Sequence, residues 1–137
     1  MTHHSDKLDM ALAVAPGEQL TVPARLEYDT DDPFAVRLVF HPGAAYSVTW
    51  VMARQLLARG LFRPSGEGDV QIRPTGAGPD AELNLVLSSP YGIALLHVPL
   101  TAVATWLMRT YELVPEGHEA DDVDIDTELA RLLHGAA

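Results

Sequence analysis

Four carboxylates crowd into six residues at Glu27, Asp29, Asp31 and Asp32, inside the run EYDTDDPFAVRLVF. Closely spaced acids of this kind are what a hard cation such as calcium requires, because it is held by several oxygens at once. An EF-hand loop counted from Asp29 needs glycine at its sixth position and glutamate at its twelfth. Phe34 and Phe40 stand there instead. The run reads as a hairpin connection, in which short Asp side chains bond to nearby backbone and Pro33 fixes the exit. A second acidic run, Asp122 to Asp126 (DVDID), opens like a calcium loop. It fails the same test, with Thr127 and Leu133 at the two deciding positions. It reads as a solvated acidic linker.

The other reactive side chains are as sparsely arranged. The six histidines, His3, His4, His41, His97, His118 and His134, show no H-E-x-x-H or comparable ligand spacing, so no metal site is expected. His97 alternates with apolar neighbours and is expected at a core edge with a hydrogen-bond partner. No G-x-S-x-G elbow surrounds Ser47, Ser65, Ser88 or Ser89, and the glycine-rich GEGDVQ and GAGPDA match neither a dinucleotide fingerprint nor a P-loop. With no cysteine there is no thiol nucleophile, disulfide framework or zinc ribbon. No catalytic, cofactor-binding or metal-binding residue is nominated.

The elements that position these side chains are mostly strands. Leu8, Met10, Leu12 and Val14 alternate with Asp9, Ala11 and Ala13. The same period of two runs through Leu20–Tyr28, Phe34–Phe40 and Tyr46–Trp50. Pro16-Gly17, the Asp run and Pro42-Gly43 separate these strands, which predicts a four-strand antiparallel meander. Three more strands follow around Val70 and Ile72, over Leu83–Leu87 and over Ile93–Val98. In the last of these, Ile93 and Leu95 oppose Leu96 and Val98, so both faces are apolar and both are expected to be covered. Phe34, Phe40, Trp50 and Trp106 are expected in the core. A helix is predicted from Val51 to Arg59, stopped by Gly60. A second opens at Pro99, with a stripe of Leu100, Val103, Leu107 and Tyr111 widened by Ala104 and Met108, and stops before Pro115. A short tail helix is predicted over Asp126–His134. The class is α+β, with about seven strands and two to three helices.

The chain has 137 residues, enough for one domain, here 1–137, with 115–137 an acidic linker and short helix. Its net charge of −10 is uneven. Eight acids between Glu112 and Glu128 have no Lys or Arg among them, while the other 11 acids face 9 bases. A phosphate-gripping surface needs clustered cations, so nucleic acid and anionic membrane are disfavoured as partners. Such a surface would have to be built from the outward-facing Arg25, Arg37 and Arg73. No apolar run approaches the roughly 18 residues of a membrane span. The opening MTHHSDKLDMALAVA lacks the form of a secretory signal.

Three blocks, LEYDTDDPFAVRLVF, WVMARQLLARGLFRPSGEGDVQIRP and DTELARLL, together resemble the SsgA-like proteins, sporulation-specific cell-division regulators of actinomycetes. The resemblance runs from about Leu8 to Leu133, and RPSGEGDVQIRP leans toward the SsgB-like branch. It implies a strongly bent antiparallel sheet with helices, similar to the Whirly single-stranded nucleic-acid binders and assembled as a homotrimer. It further implies a non-enzymatic cytoplasmic protein at the division septum. That protein would help recruit or position the division GTPase FtsZ together with another SsgA-like protein. A single-stranded nucleic-acid-binding module is the alternative that the fold analogy implies. The resemblance carries no site residue over to this chain.

Overall fold

The computed structural model describes residues 2–43 and 45–120. Strands β1 (His3–Ala15), β2 (Glu18–Asp29), β3 (Ala35–Gly43) and β4 (Tyr46–Ala53) form the expected meander. Helix α1 (Arg54–Gly60) follows, then β5 (Val70–Thr75), β6 (Glu82–Ser89), β7 (Gly92–Pro99) and helix α2 (Leu100–Leu113). All pairings are antiparallel, and the strand order is β4-β3-β2-β1-β7-β6-β5. The sheet is curled. The predicted tail helix over Asp126–His134 lies outside the described residues.

β1 and β2 pair over their whole length, from His3 opposite Asp29 to Ala15 opposite Glu18, around the Pro16-Gly17 turn. Gly17 has φ +76, the left-handed conformation that a turn with proline just before it requires. β1 meets β7 only at Ala11–His97 and Leu12–Leu96. Two meanders, β1–β4 and β5–β7, therefore join through a very short seam.

One face of the curled sheet carries the core. Met10, Ala24, Leu26, Leu38, Phe40, Met52, Ile72, Leu83, Leu85, Leu96 and Val98 are buried there, and α2 adds Val103, Trp106 and Leu107. The period-two reading thus places these strands correctly. The helices differ in detail. β4 continues through Ala53, and the Arg54 N–H still donates to the Phe34 carbonyl at 2.7 Å, so α1 starts three residues later than predicted. Met52, read as helical, is a strand residue opposite Val36. Gly60 does end α1, but not through a left-handed cap. It lies against β5, where an added Cβ would stand 2.8 Å from the Ile72 Cβ. The buried face of α2 is centred on Val103, Trp106, Leu107 and Thr110, which leaves Met108 exposed rather than docked. Phe34 is also a correction. It is 58% exposed, because β3 begins only at Ala35 and the inward place before it is taken by Pro33.

Candidate interaction surface

The acidic run at Asp29–Asp32 is used up in shaping a turn. The Asp31 N–H donates to Asp29 Oδ1 at 2.8 Å and the Asp32 N–H to the Asp29 carbonyl at 2.9 Å. Asp32 Oδ2 accepts from Arg37 at 3.3 Å, and the Tyr28 hydroxyl donates to the Pro33 carbonyl at 2.9 Å. Among the described residues, no three His, Asp or Glu side chains converge as metal ligands. The DVDID run and His134 lie outside those residues. His97 has the partner expected of it: its Nδ1 is hydrogen-bonded to Asn84 Oδ1, and Asn84 Nδ2 donates to Thr75 Oγ1 at 2.7 Å. This polar ladder crosses β7, β6 and β5 on the face opposite the core.

The three arginines of the nucleic-acid reading do not converge. Arg25 and Arg37 sit on neighbouring strands, with Glu27 opposite Arg37 in register. Arg73 is on β5, with three strands between it and β2.

Sequence reasoning missed Arg54. It is 2% exposed and lies between two rings, with its guanidinium carbon 3.9 Å from the Tyr111 centroid and 5.0 Å from that of Tyr28. Its Nη1–H donates to the Thr110 carbonyl at 2.9 Å. Its Nη2 lies 3.7 Å from Glu119 Oε2, an ion pair too long for a hydrogen bond, and has no other polar partner. Burial pushes both tyrosine hydroxyls above their usual pKa, against the opposing pull of the Arg54 charge. Arg54 thereby ties α1, α2 and the segment after α2 into one unit. An arginine at a helix start ordinarily reads as solvated, and only the three-dimensional closure of Glu119 onto it reveals the role.

The large exposed apolar groups of the sheet fall in three places, one of them β4, where Val48 is 40% and Val51 57% exposed. On the outer face of β7, Ile93 is 70% and Leu95 46% exposed, beside an exposed Tyr91. The expectation that both faces of this strand are covered holds for the core face alone within one copy of the chain. On the core face, beyond Met10 and Ala24, Val14 and Leu20 extend along the β1–β2 hairpin, 49% and 57% exposed among the described residues.

A family model described as Streptomyces sporulation and cell division protein, SsgA, matches residues 22–119, from β2 to the Glu119 that closes on Arg54. The chain belongs to the SsgA family. Sporulation-specific cell division protein SsgB of Thermobifida fusca is 46% identical over 125 residues, covering 85% of this chain and 91% of that protein. The SsgB of Streptomyces coelicolor is 46% identical over 129 residues, covering 94% of both. These relatives carry the name of the branch that RPSGEGDVQIRP suggested. A solved SsgA-like sporulation-specific cell division protein from T. fusca superposes with a TM-score of 0.84 at 42% identity, covering 96% of each chain. Another structure was solved with the finding that mutations in SsgB correlate to longitudinal cell division during sporulation of S. coelicolor. It gives a TM-score of 0.83 at 46% identity, covering 88% of this chain and 94% of that one. This SsgA-family chain is accordingly a sporulation cell-division protein. Among the described residues, no helix is long and apolar enough to cross a membrane.

Proposed function

We propose that this SsgA-family protein is a non-enzymatic adaptor in sporulation septation, acting in the cytoplasm at the division septum to recruit or position FtsZ. It works as a homo-oligomer, with a trimer favoured, and alongside another SsgA-like protein. The observation that carries the reading is the uncovered apolar outer face of β7, with Ile93 and Leu95 presented to solvent beside Tyr91. Burying such a face against a second copy or a partner removes apolar area worth roughly 25 cal/mol per Å². The separation of Arg25 and Arg37 from Arg73 weighs against a nucleic-acid groove. Co-sedimentation with FtsZ polymers tests the adaptor role. The chain is expected in the pellet, alone or with a second SsgA-like protein, and its absence from the pellet in both cases defeats the reading.

A further inference from the structure

Between Asp32 and Glu67 the chain has no acidic residue, yet it places Arg54, Arg59 and Arg63 within ten positions. On a protein of net charge −10 this is an unusual local excess of positive charge. Arg59 lies in the last turn of α1 and Arg63 follows the helix, and neither is ion-paired to any described residue. Between them Phe62 stands 84% exposed, although a phenylalanine gains most from burial. These side chains, with Ala58, form one wall of a groove of about 690 Å³, and Tyr111 in the last turn of α2 and Glu116 after it line the other. The groove continues through Gln55, Tyr111 and Glu116 into a smaller cavity of about 280 Å³ that reaches Arg54. There Arg54 Nη2 is buried and makes no hydrogen bond, with Glu119 Oε2 as its ion-pair partner at 3.7 Å.

We infer that this groove between α1 and the end of α2 is a docking site for a partner segment that interleaves carboxylates with apolar side chains. The charges decide the chemistry. Arg59 and Arg63 attract an anionic segment and repel a basic one, and Glu116 and Glu119 on the far wall confine the favourable strip to the α1 side. Phe62 and Ala58 supply the apolar contact between the two cations. A nucleic acid would meet the opposing glutamates and has no row of cations to follow. The inference rests on the adaptor reading for the partner's biological setting, but its physical content is independent of FtsZ.

The test uses the full chain and a fluorescein-labelled peptide of alternating Asp and Leu, with an alternating Lys and Leu peptide as its counterpart, read by fluorescence anisotropy. The Asp–Leu peptide is expected to bind and the Lys–Leu peptide not to. Binding should weaken as salt shortens the Debye length below about 8 Å. The double variant R59E/R63E changes only exposed side chains, and circular dichroism verifies its fold. It is expected to lose at least about tenfold in affinity, since exposed charge pairs contribute modestly one by one and add when reversed together. Phe62→Ala should also weaken binding, while Val48→Ala, at an exposed apolar position on β4 outside the groove, should leave it unchanged. Equal binding by wild type and R59E/R63E, or no binding of the Asp–Leu peptide, overturns the inference. A further variant replaces Asp121, Asp122, Asp124, Asp126 and Glu128 by amides. Binding seen only in that background would make the chain's own acidic segment the occupant and would overturn the assignment to a partner. Absence of peptide binding by the wild-type chain with FtsZ co-sedimentation intact removes the groove alone; the reverse outcome removes the adaptor reading alone.

Discussion

Arg54 concentrates more of the fold's polar energetics than any other single side chain described. Its guanidinium holds the Thr110 carbonyl, two aromatic faces and the Glu119 carboxylate in a nearly dry place. Replacing it with methionine keeps most of the volume and leaves Glu119, whose side chain is 15% exposed, without a counter-charge. Breaking one side of a buried pair costs about 3–5 kcal/mol. A loss of about 3 kcal/mol is expected here, because Glu119 can turn toward water, and the urea midpoint at unchanged m-value measures it. Glu119→Gln keeps an acceptor for the Gly117 N–H, which now donates to Glu119 Oε1 at 2.6 Å, and should cost about 1 kcal/mol. The same cluster sets an alkaline limit. Tyr28 and Tyr111 have folded pKa values raised above 10.0, so the stability they contribute is complete below that pH and drains away as pH climbs through the raised values. Urea titrations between pH 9 and 11 should show this fall, and the Tyr111→Phe variant should show less of it.

At the scale of elements, Gly60 decides how closely α1 lies on β5. Alanine would gain up to about 1 kcal/mol of helix propensity, but its methyl group would meet Ile72 at overlapping distance. Overpacking typically costs about 1–3 kcal/mol. Gly60→Ala is therefore expected to destabilise by about 1–2 kcal/mol in denaturant melts, and Ile72→Ala in the same chain should make the combined loss less than additive. The strands were legible because one covered face imposes a period of two on Leu26, Leu38, Leu83 and their neighbours. The start of α1 was not, because Met52 and Leu56 satisfy helical spacing while the ladder to β3 claims Met52. Phe34 fits the strand phase on paper, but β3 begins only after it, at Ala35. The site was less legible still. Nothing local in RQLLARGLFRP distinguishes a solvated arginine from a buried one, and the groove exists only once α2 is brought beside α1.

At the scale of the whole molecule, two meanders meet at a seam of two residue pairs, and α2 lies across it, packing on β1, β6 and β7. On α2, Trp106 is 1% exposed, with its ring stacked at 5.5 Å on that of His4, near the start of β1. Trp106→Ala is expected to cost about 3–5 kcal/mol. Hydrogen exchange should show amides at the β1–β7 contact losing protection before those of the β1–β2 ladder. Each meander is built from neighbouring strands, whereas the seam joins positions far apart along the chain, which is the kind of contact that forms late. A joint held by one helix can also be completed by the matching half of another molecule. Concentrated or refolding preparations are therefore where strand-exchanged assemblies would arise, by the same closure that makes the monomer whole.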